Sequence, residues 1–214
     1  MRSLLALVAA AALAACATRT SPQAPSAAVD IDPAVADTLV LAGGCFWCME
    51  KPFEDLDGVA SVVSGFAGGP EVNPTYDEVA GKRTGHYEVV QVIYDGTRVG
   101  LDTLLRTYWH NVDPFDGEGQ FCDRGTPYRP AIFAPTEEVR ALAQAQKAEL
   151  GARFEAPIAV EVKGDFPFYP AEAYHQDFYK TNPARYTSYR TGCRRDARLA
   201  EVWGAAAGTA GEAL

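Results

Sequence analysis

The chain has 214 residues, 48% hydrophobic and 22% charged, an ordinary globular composition long enough for one well-buried core; collagen, coiled coil and wholesale disorder are excluded. Acidic residues outnumber basic ones 28 to 19, for a formal charge of −9, so a phosphate backbone is repelled and nucleic acid is excluded as a natural partner. Five cysteines are too few for a disulfide-stapled miniprotein and more than a core needs by chance, so each requires its own explanation.

Met1 and Arg2 give a short positive start, and residues 4–15 are an unbroken apolar run, well short of the roughly 20 residues of a membrane-spanning helix. This pattern is expected of a signal peptide over residues 1–15. It ends in Leu13-Ala14-Ala15-Cys16, which resembles the bacterial lipobox and makes Cys16 the expected lipidated first residue; the alternative is a plain secretory signal cleaved nearby. Either way the product is exported, to the periplasmic side, and Ala17 carries no obvious inner-membrane retention signal, so the expected anchor is the outer membrane of a Gram-negative-type bacterium. No acidic residue precedes Asp30, so the negative charge belongs to the chain from Asp30 onward. Residues 16–37, rich in Ala, Ser, Thr, Pro and Asp, read as a flexible tether, residues 38–204 as one domain, and residues 205–214, almost all Ala, Gly and Thr, as a loose tail.

Residues 38–42 are a short apolar run followed by Gly43-Gly44, the pattern of a buried strand that turns sharply into a helix. That helix is expected over residues 45–56, with Phe46, Met49, Phe53 and Leu56 on one face and Pro52 kinking or shortening it. Strands follow at residues 59–66 and 87–94; in the second, Glu88 shares its face with Val90, Val92 and Tyr94. Helices are expected over residues 101–112 and 136–154, strands over 129–133 and 158–162. The stretch 111–128, full of Asp, Gly and Pro yet containing Phe115, Phe121 and Cys122, reads as an ordered functional loop. Residues 166–189 are dense in aromatics with little periodicity. Strands and helices interleave in a single mixed domain.

Gly43-Gly44-Cys45-Phe46-Trp47-Cys48 puts a thiol at the expected first turn of a helix, where unpaired N–H groups favour an anion and depress a thiol pKa. Cys45 is thus a candidate nucleophile, although a small buried hydrophobe is an equally good reading from composition alone. Gly44-Cys45-Phe46-Trp47 resembles the signature of the methionine sulfoxide reductase A family, the peptide-methionine (S)-S-oxide reductases. The resemblance continues through Gly65-Phe66-Ala67-Gly68-Gly69, Asn73-Pro74-Thr75-Tyr76, Gly85-His86-Tyr87-Glu88, residues 123–129 (DRGTPYR) and Tyr174-His175-Gln176, in family order. Six collinear blocks are far more specific than one tetrapeptide. They imply a compact α+β fold, a ferredoxin-like α/β sandwich.

The resemblance also implies a chemistry. A sulfoxide sulfur is electrophilic, and its oxygen leaves only if protonated, so a thiolate on one side and proton donors on the other are required. Cys45 would attack sulfur, and Glu88, normally expected to face solvent in an alternating strand, would instead be buried, protonated and the proton donor. Tyr76 and Tyr128 would hydrogen-bond the oxygen, Phe46 and Trp47 would wall off the S-methyl group, and Asp123 and, less directly, His175 would line the substrate site. Cys45 is left as a sulfenic acid. Three cysteines are candidates to resolve it: Cys48 at Cys-x-x-Cys spacing, Cys122 beside Asp123, and Cys193. The family's habit of a resolving cysteine on a mobile C-terminal strand gives Cys193 preference. Many relatives have Gly at the position of Cys48. No bound cofactor or metal is implied; the electrons would come from an external thioredoxin-type dithiol, the other partners being oxidised proteins or peptides, and the protein is taken as a monomer.

Three other classes compete. A papain-like cysteine hydrolase would use Cys45 and His175, but Phe46 stands where that family has Trp or Tyr after its cysteine. A zinc module would need more than His86, His110 and His175 beside one close cysteine pair. A thiol-disulfide oxidoreductase built on Cys45-x-x-Cys48 would have no use for Glu88, Tyr76 or Tyr128.

Overall fold

The computed structural model describes residues 35–209 and residue 214. The expected signal peptide, Cys16 and most of the tether lie outside the described residues.

Six strands form one mixed sheet. β1 (Ala36–Ala42), β2 (Val59–Ala67) and β3 (Tyr87–Asp95) are long, and a short hairpin, β4 (Gly119–Gln120) and β5 (Asp123–Arg124), stands apart as its own small sheet. β6 (Ala131–Phe133), β7 (Glu161–Lys163) and β8 (Tyr169–Pro170) complete the main sheet in the order β7-β6-β1-β3-β2-β8. The helices are α1 (Trp47–Glu54), α2 (Tyr76–Ala80), α3 (Leu101–His110), α4 (Glu137–Phe154), α5 (Phe178–Thr181), α6 (Pro183–Gly192) and α7 (Arg195–Trp203). The central run β1-α1-β2-β3-α3-β6, with β6, β1, β3 and β2 adjacent and antiparallel, is the split β-α-β of a ferredoxin-like sandwich. β7 extends it in parallel beside β6.

Period-2 alternation decides what each strand faces. Leu39 and Leu41 of β1, Val62 of β2 and Val90, Val92 and Tyr94 of β3 join the main core beneath the helices, which contribute Phe53, Leu104, Leu105, Tyr108, Trp109, Leu150 and Leu199. The other face is smaller: Ala42, Ala67, Tyr87, Val89, Ala131 and Phe133. Glu88 has the parity of Val90 and Val92, so the register that buries the apolar residues also carries a carboxyl into the helix side.

The helix expected from residue 45 starts at Trp47, with Phe46 as its N-cap; Cys45 stands just ahead of it, not in its first turn. The helix contains Pro52 and ends at Glu54. β6 and β7 begin later than expected, at Ala131 and Glu161, while the long strands and the helices α3 and α4 match to within two residues. The aperiodic aromatic stretch holds β8, α5 and most of α6; α6 and α7 were not legible. α6 has no buried side chain, and the buried face of α7 begins with the charged Arg195 before Leu199 and Trp203. The end of the chain also differs from a loose tail over its described part. Gly208 N–H donates to the His110 carbonyl at 2.9 Å, and Ala206, Ala207 and Leu214 pack on the main core.

Glu50 of α1 ties these layers together: its Oε1 accepts from Ser64 Oγ on β2 at 2.9 Å and from the Asp177 N–H at 3.2 Å, while Oε2 is buried without a partner among the described residues. Burial raises its pKa to about 7. The folded state therefore holds the Glu50 proton more tightly than the unfolded chain. The resulting stability is fully present below the ordinary carboxylate range and is lost as pH rises through about 7. Glu50→Gln is expected to reduce the fall in unfolding free energy between pH 5 and pH 8 by on the order of 2 kcal/mol, measured by urea titration; an unchanged pH dependence would contradict the assignment.

Candidate active site

The site forms where β1 ends. Gly44 adopts a positive φ of 81°, and a Cβ there would stand 2.6 Å from Gln120 Cβ, so only glycine lets the β4–β5 hairpin close over the turn. Gln120 is fully buried and clamps the hairpin base, accepting from the Asp113 N–H and donating to the Asp113 carbonyl, both at 2.8 Å. This closure brings Asp123 and Tyr128 toward Cys45.

Cys45 is 7% exposed and Glu88 2%. The Phe46 N–H, a free donor at the start of α1, donates to Glu88 Oε2 at 3.1 Å. Burial nevertheless raises the Glu88 pKa to about 8, against the lowering effect of that hydrogen bond and with the help of Asp123 and Cys48. Glu88 is thus a neutral acid at pH 7, with one oxygen held by the amide and the other free to carry the proton. Burial also raises the phenols of Tyr76 and Tyr128, and the charges of Glu88 and Cys45 act on both rings. Tyr76 is placed by the turn into α2, where Thr75 N–H and Oγ1 donate to Glu78 at 2.9 and 2.8 Å.

An aromatic wall completes the site. Phe46 lies 6.3 Å from Tyr76 and 5.1 Å from His175 between ring centroids, and Trp47 stacks on Phe178 at 3.7 Å. Trp47 Nε1–H donates to His175 Nδ1 at 3.0 Å, which leaves the proton on Nε2, a buried group with no partner among the described residues; burial holds the ring neutral by lowering its pKa. Gln176 fixes the segment, bridging both backbone groups of Ser64 at 2.9 Å.

The cysteines depart from expectation. Burial and the hydrogen bond to Cys48 push the Cys45 thiol well above its ordinary value, so the helix start does not lower it. The lowered thiol is Cys48, brought to about 6, first by the hydrogen bond from Cys45 and then by Arg195 and Arg190. The pair shares one proton, with the anion favoured at Cys48. Cys193 lies at the C-cap of α6 rather than on a mobile strand, and it is joined to Cys122 in a disulfide. Their sulfurs and Asp123 converge as a three-ligand group, but the sulfurs are spent on that bond. Cys16 lies outside the described residues.

Three residues were missed in the sequence. Tyr189 of α6 hydrogen-bonds Asp123 and Cys45, and its phenol is pushed far up by burial and by the Cys45 charge. Arg195 is 2% exposed; its Nη2 donates to the Gly43 carbonyl at 3.2 Å and the Asn111 carbonyl at 2.6 Å, and its guanidinium lies 4.3 Å from the Phe121 ring centroid. Arg190 sits nearby, paired to Asp196. Nothing in the spacing of the Arg-Arg-Asp-Ala-Arg run separates Arg195 from its neighbours. A separate cavity of about 500 Å³ between α4 and β7 has Lys147 as its one ionisable lining group, with Nζ bound to the Val160 carbonyl.

The family model for peptide methionine sulfoxide reductase matches residues 37–207. The chain belongs to that family. Among its relatives, the peptide methionine sulfoxide reductase MsrA of Streptococcus agalactiae serotype III is 51% identical over 166 residues, covering 77% of this chain and 97% of the relative. MsrA 2 of Caulobacter vibrioides is 44% identical over 205 residues, 95% of this chain and all of the relative. The fold is similar to reduced Mxr1 of Saccharomyces cerevisiae, with a TM-score of 0.66 at 31% identity over 72% of this chain and 90% of that one. It is also similar to methionine sulfoxide reductase A of Corynebacterium diphtheriae, with a TM-score of 0.62 at 34% identity over 71% and 77%.

The shared proton predicts the thiol chemistry of this family member. Alkylation of the reduced chain followed by peptide mapping is expected to show the first thiolate of the pair appearing with a midpoint near pH 6. In Cys48→Ser that midpoint vanishes and Cys45 reacts only in alkaline solution. A Cys45 midpoint near pH 6 in that variant would contradict the assignment.

Proposed function

We infer that this chain reduces the S epimer of methionine sulfoxide, free or in proteins, to methionine. The observation that carries the reading is a neutral, buried Glu88 held by the amide next to the Cys45 thiol, inside an aromatic wall. A sulfoxide seated there presents its oxygen to Glu88, Tyr76 and Tyr128 and its methyl group to Phe46 and Trp47. As Cys45 attacks sulfur, its proton passes to Cys48 and Glu88 protonates the oxygen; that oxygen then moves to Cys45 Sγ as the new sulfur–sulfur bond breaks and the thioether leaves. The net step converts thiol and sulfoxide into Cys45 sulfenic acid and thioether. Because oxygen and methyl each have their own wall and the nucleophile comes from a fixed side, one epimer alone fits.

Cys48 then attacks the sulfenic sulfur, forming Cys45–Cys48 and releasing water. The hydrogen bond and lowered pKa of Cys48 favour it over Cys193 for this step. An external dithiol protein of thioredoxin type supplies the electrons. A plain thiol exchanger would use the same cysteines but has no need of Glu88. A hydrolase would need a basic His175, whose Nδ1 is instead occupied by Trp47.

The test offers separated epimers of a peptide methionine sulfoxide with dithiothreitol. Turnover of the S epimer alone, absent in Cys45→Ser, is expected. Glu88→Gln should lower kcat about 10²- to 10⁴-fold and erase the alkaline limb near pH 8; unchanged turnover would favour thiol exchange.

The apolar run at residues 4–15 and the Leu13-Ala14-Ala15-Cys16 end support export and lipidation at Cys16, with repair of oxidised envelope proteins as the role. No helix among the described residues is long and apolar enough to cross a membrane. Labelled palmitate is expected to enter the full chain and not Cys16→Ser; equal labelling of both would overturn the lipid anchor.

A further inference from the structure

The reaction at Cys45 uses the inner part of the aromatic wall and leaves its outer end without a task. Tyr174 is 61% exposed, yet its ring centroid lies 4.1 Å from that of His175, the same distance as Tyr76. From His175 the rings continue to Trp47 at 5.7 Å and on to Phe178, stacked on Trp47 at 3.7 Å. One row of rings thus runs from the surface along the seat described for the sulfoxide. Its two ends carry opposite charge. At the Tyr174 end, burial and then the charges of Glu172 and Asp77 push the phenol up. Glu172 Oε1 accepts from the Tyr76 N–H at 3.0 Å and Asp77 follows Tyr76 in α2, so the acidic end is built onto a residue that meets the sulfoxide oxygen. At the other end the Arg185 guanidinium lies 5.7 Å from the Trp47 ring centroid and 5.8 Å from that of Phe178. His175 stands between: after burial, the charges of Glu172 and Arg185 act on its ring in opposite senses. Asp77 and Arg185 are both exposed, and among the described residues neither pairs with an opposite charge.

We propose that this row is a docking rim for the polypeptide on either side of an oxidised methionine: an extended segment lies across it with a side chain on the Tyr174 ring, a basic residue at the Asp77 and Glu172 end and an acidic residue at the Arg185 end. This rests on the sulfoxide-reductase reading above and deepens it, since it makes an extended stretch of chain, rather than the amino acid alone, the substrate the site is shaped for. The sulfoxide side chain is served by Phe46, Trp47, Tyr76, Tyr128 and Glu88, and none of these is left for its neighbours in sequence. Tyr174 is a rigid, amphipathic surface already held against His175, so covering it costs little side-chain entropy. Charges of opposite sign at the two ends of the row discriminate one order of flanking residues from the other more than they raise affinity. An exposed ring by itself is ordinary. One stacked on a site residue, between two unpaired charges of opposite sign, has the composition of a recognition surface that continues the site outward.

The experiment measures kcat/KM of the full chain with dithiothreitol on four substrates, all with blocked ends and the S epimer of methionine sulfoxide. One is the blocked amino acid alone. The others are peptides with the sulfoxide at the centre, flanked by alanines, by Lys before and Glu after, or by Glu before and Lys after. The parent chain is expected to favour one charge order about 3- to 5-fold at low salt and to lose that preference at high salt. Arg185→Glu should cancel or reverse the preference. Tyr174→Ala should lower the ratio of kcat/KM for the alanine-flanked peptide to that for the blocked amino acid about 3- to 10-fold, through KM, whereas Tyr174→Phe should keep it. Equal kcat/KM for the two charge orders, a preference unchanged in Arg185→Glu, or a ratio that does not fall in Tyr174→Ala would overturn the rim and leave the reductase reading intact. No turnover of any of the four by the parent would overturn the reductase reading itself. The comparison of charge orders needs only the parent chain, so it decides the matter even where a variant fails to fold.

Discussion

The hydrogen bond from Phe46 N–H to Glu88 governs the site, because it links the strand that carries the acid to the turn that carries the nucleophile. A carboxyl brought into the helix side of a sheet is costly if ionised, and one amide does not repay that cost, so the group stays protonated. The same amide would otherwise be an orphan at the start of α1, whose cap offers no side-chain acceptor. Each group meets the other's need, and the outcome is a proton held beside a thiol. The register of β3, in which Phe66 faces Glu88 across the ladder, sets the depth at which this happens.

Charge around the sulfurs obeys a second constraint. Arg195 is buried and makes its hydrogen bonds to carbonyls and to Met49 Sδ; among the described residues it pairs with no carboxylate. A buried cation with no carboxylate is stable beside an anion of another kind, and Cys48 is the group that can become one. The cation and the shared proton together explain why the lowered pKa falls on the second cysteine rather than on the one that precedes the helix. Nucleophile and thiolate are thus different atoms at rest, and the short hydrogen-bonded path between them replaces the helix terminus as the means of activating Cys45.

The long elements were legible because their apolar periodicity is strong. The alternation of β3 and the amphipathic face of α3 needed no tertiary information; parity put Glu88 on the face of Val90 and Val92, but its burial was expected from the resemblance alone. The site blocks at Cys45, Tyr76, Glu88, Asp123, Tyr128 and His175 were legible by resemblance, although spacing alone ranked Cys45 no higher than packing. What stayed hidden depends on contacts between distant segments. Proton sharing with Cys48 and the cation of Arg195 reverse the expected order of thiol acidity. The Cys122–Cys193 bond spans a loop and a helix end that no pattern relates. Helix α6 escaped because it buries no side chain, and α7 because its buried face opens on a charged residue, Arg195, ahead of Leu199 and Trp203.

Those two helices explain how an acidic chain gathers positive charge where it needs it. Tyr189 and Cys193 are four apart, so one face of the last turn of α6 meets both Asp123 and Cys122. Arg194 then takes a left-handed conformation, with φ of 54°, which breaks the helix and re-aims the chain so that Arg195 enters the core at the start of α7 while Arg194 faces the outer groove. A continuous helix would put the two arginines about 100° apart on one rod; the break sends one inward to the buried thiols and leaves the other beside the exposed disulfide. The end of the chain therefore does two jobs that the ferredoxin-like core cannot: it closes the aromatic wall over Cys45, and it sets a cation on each side of the sulfur that borders both the interior and the surface.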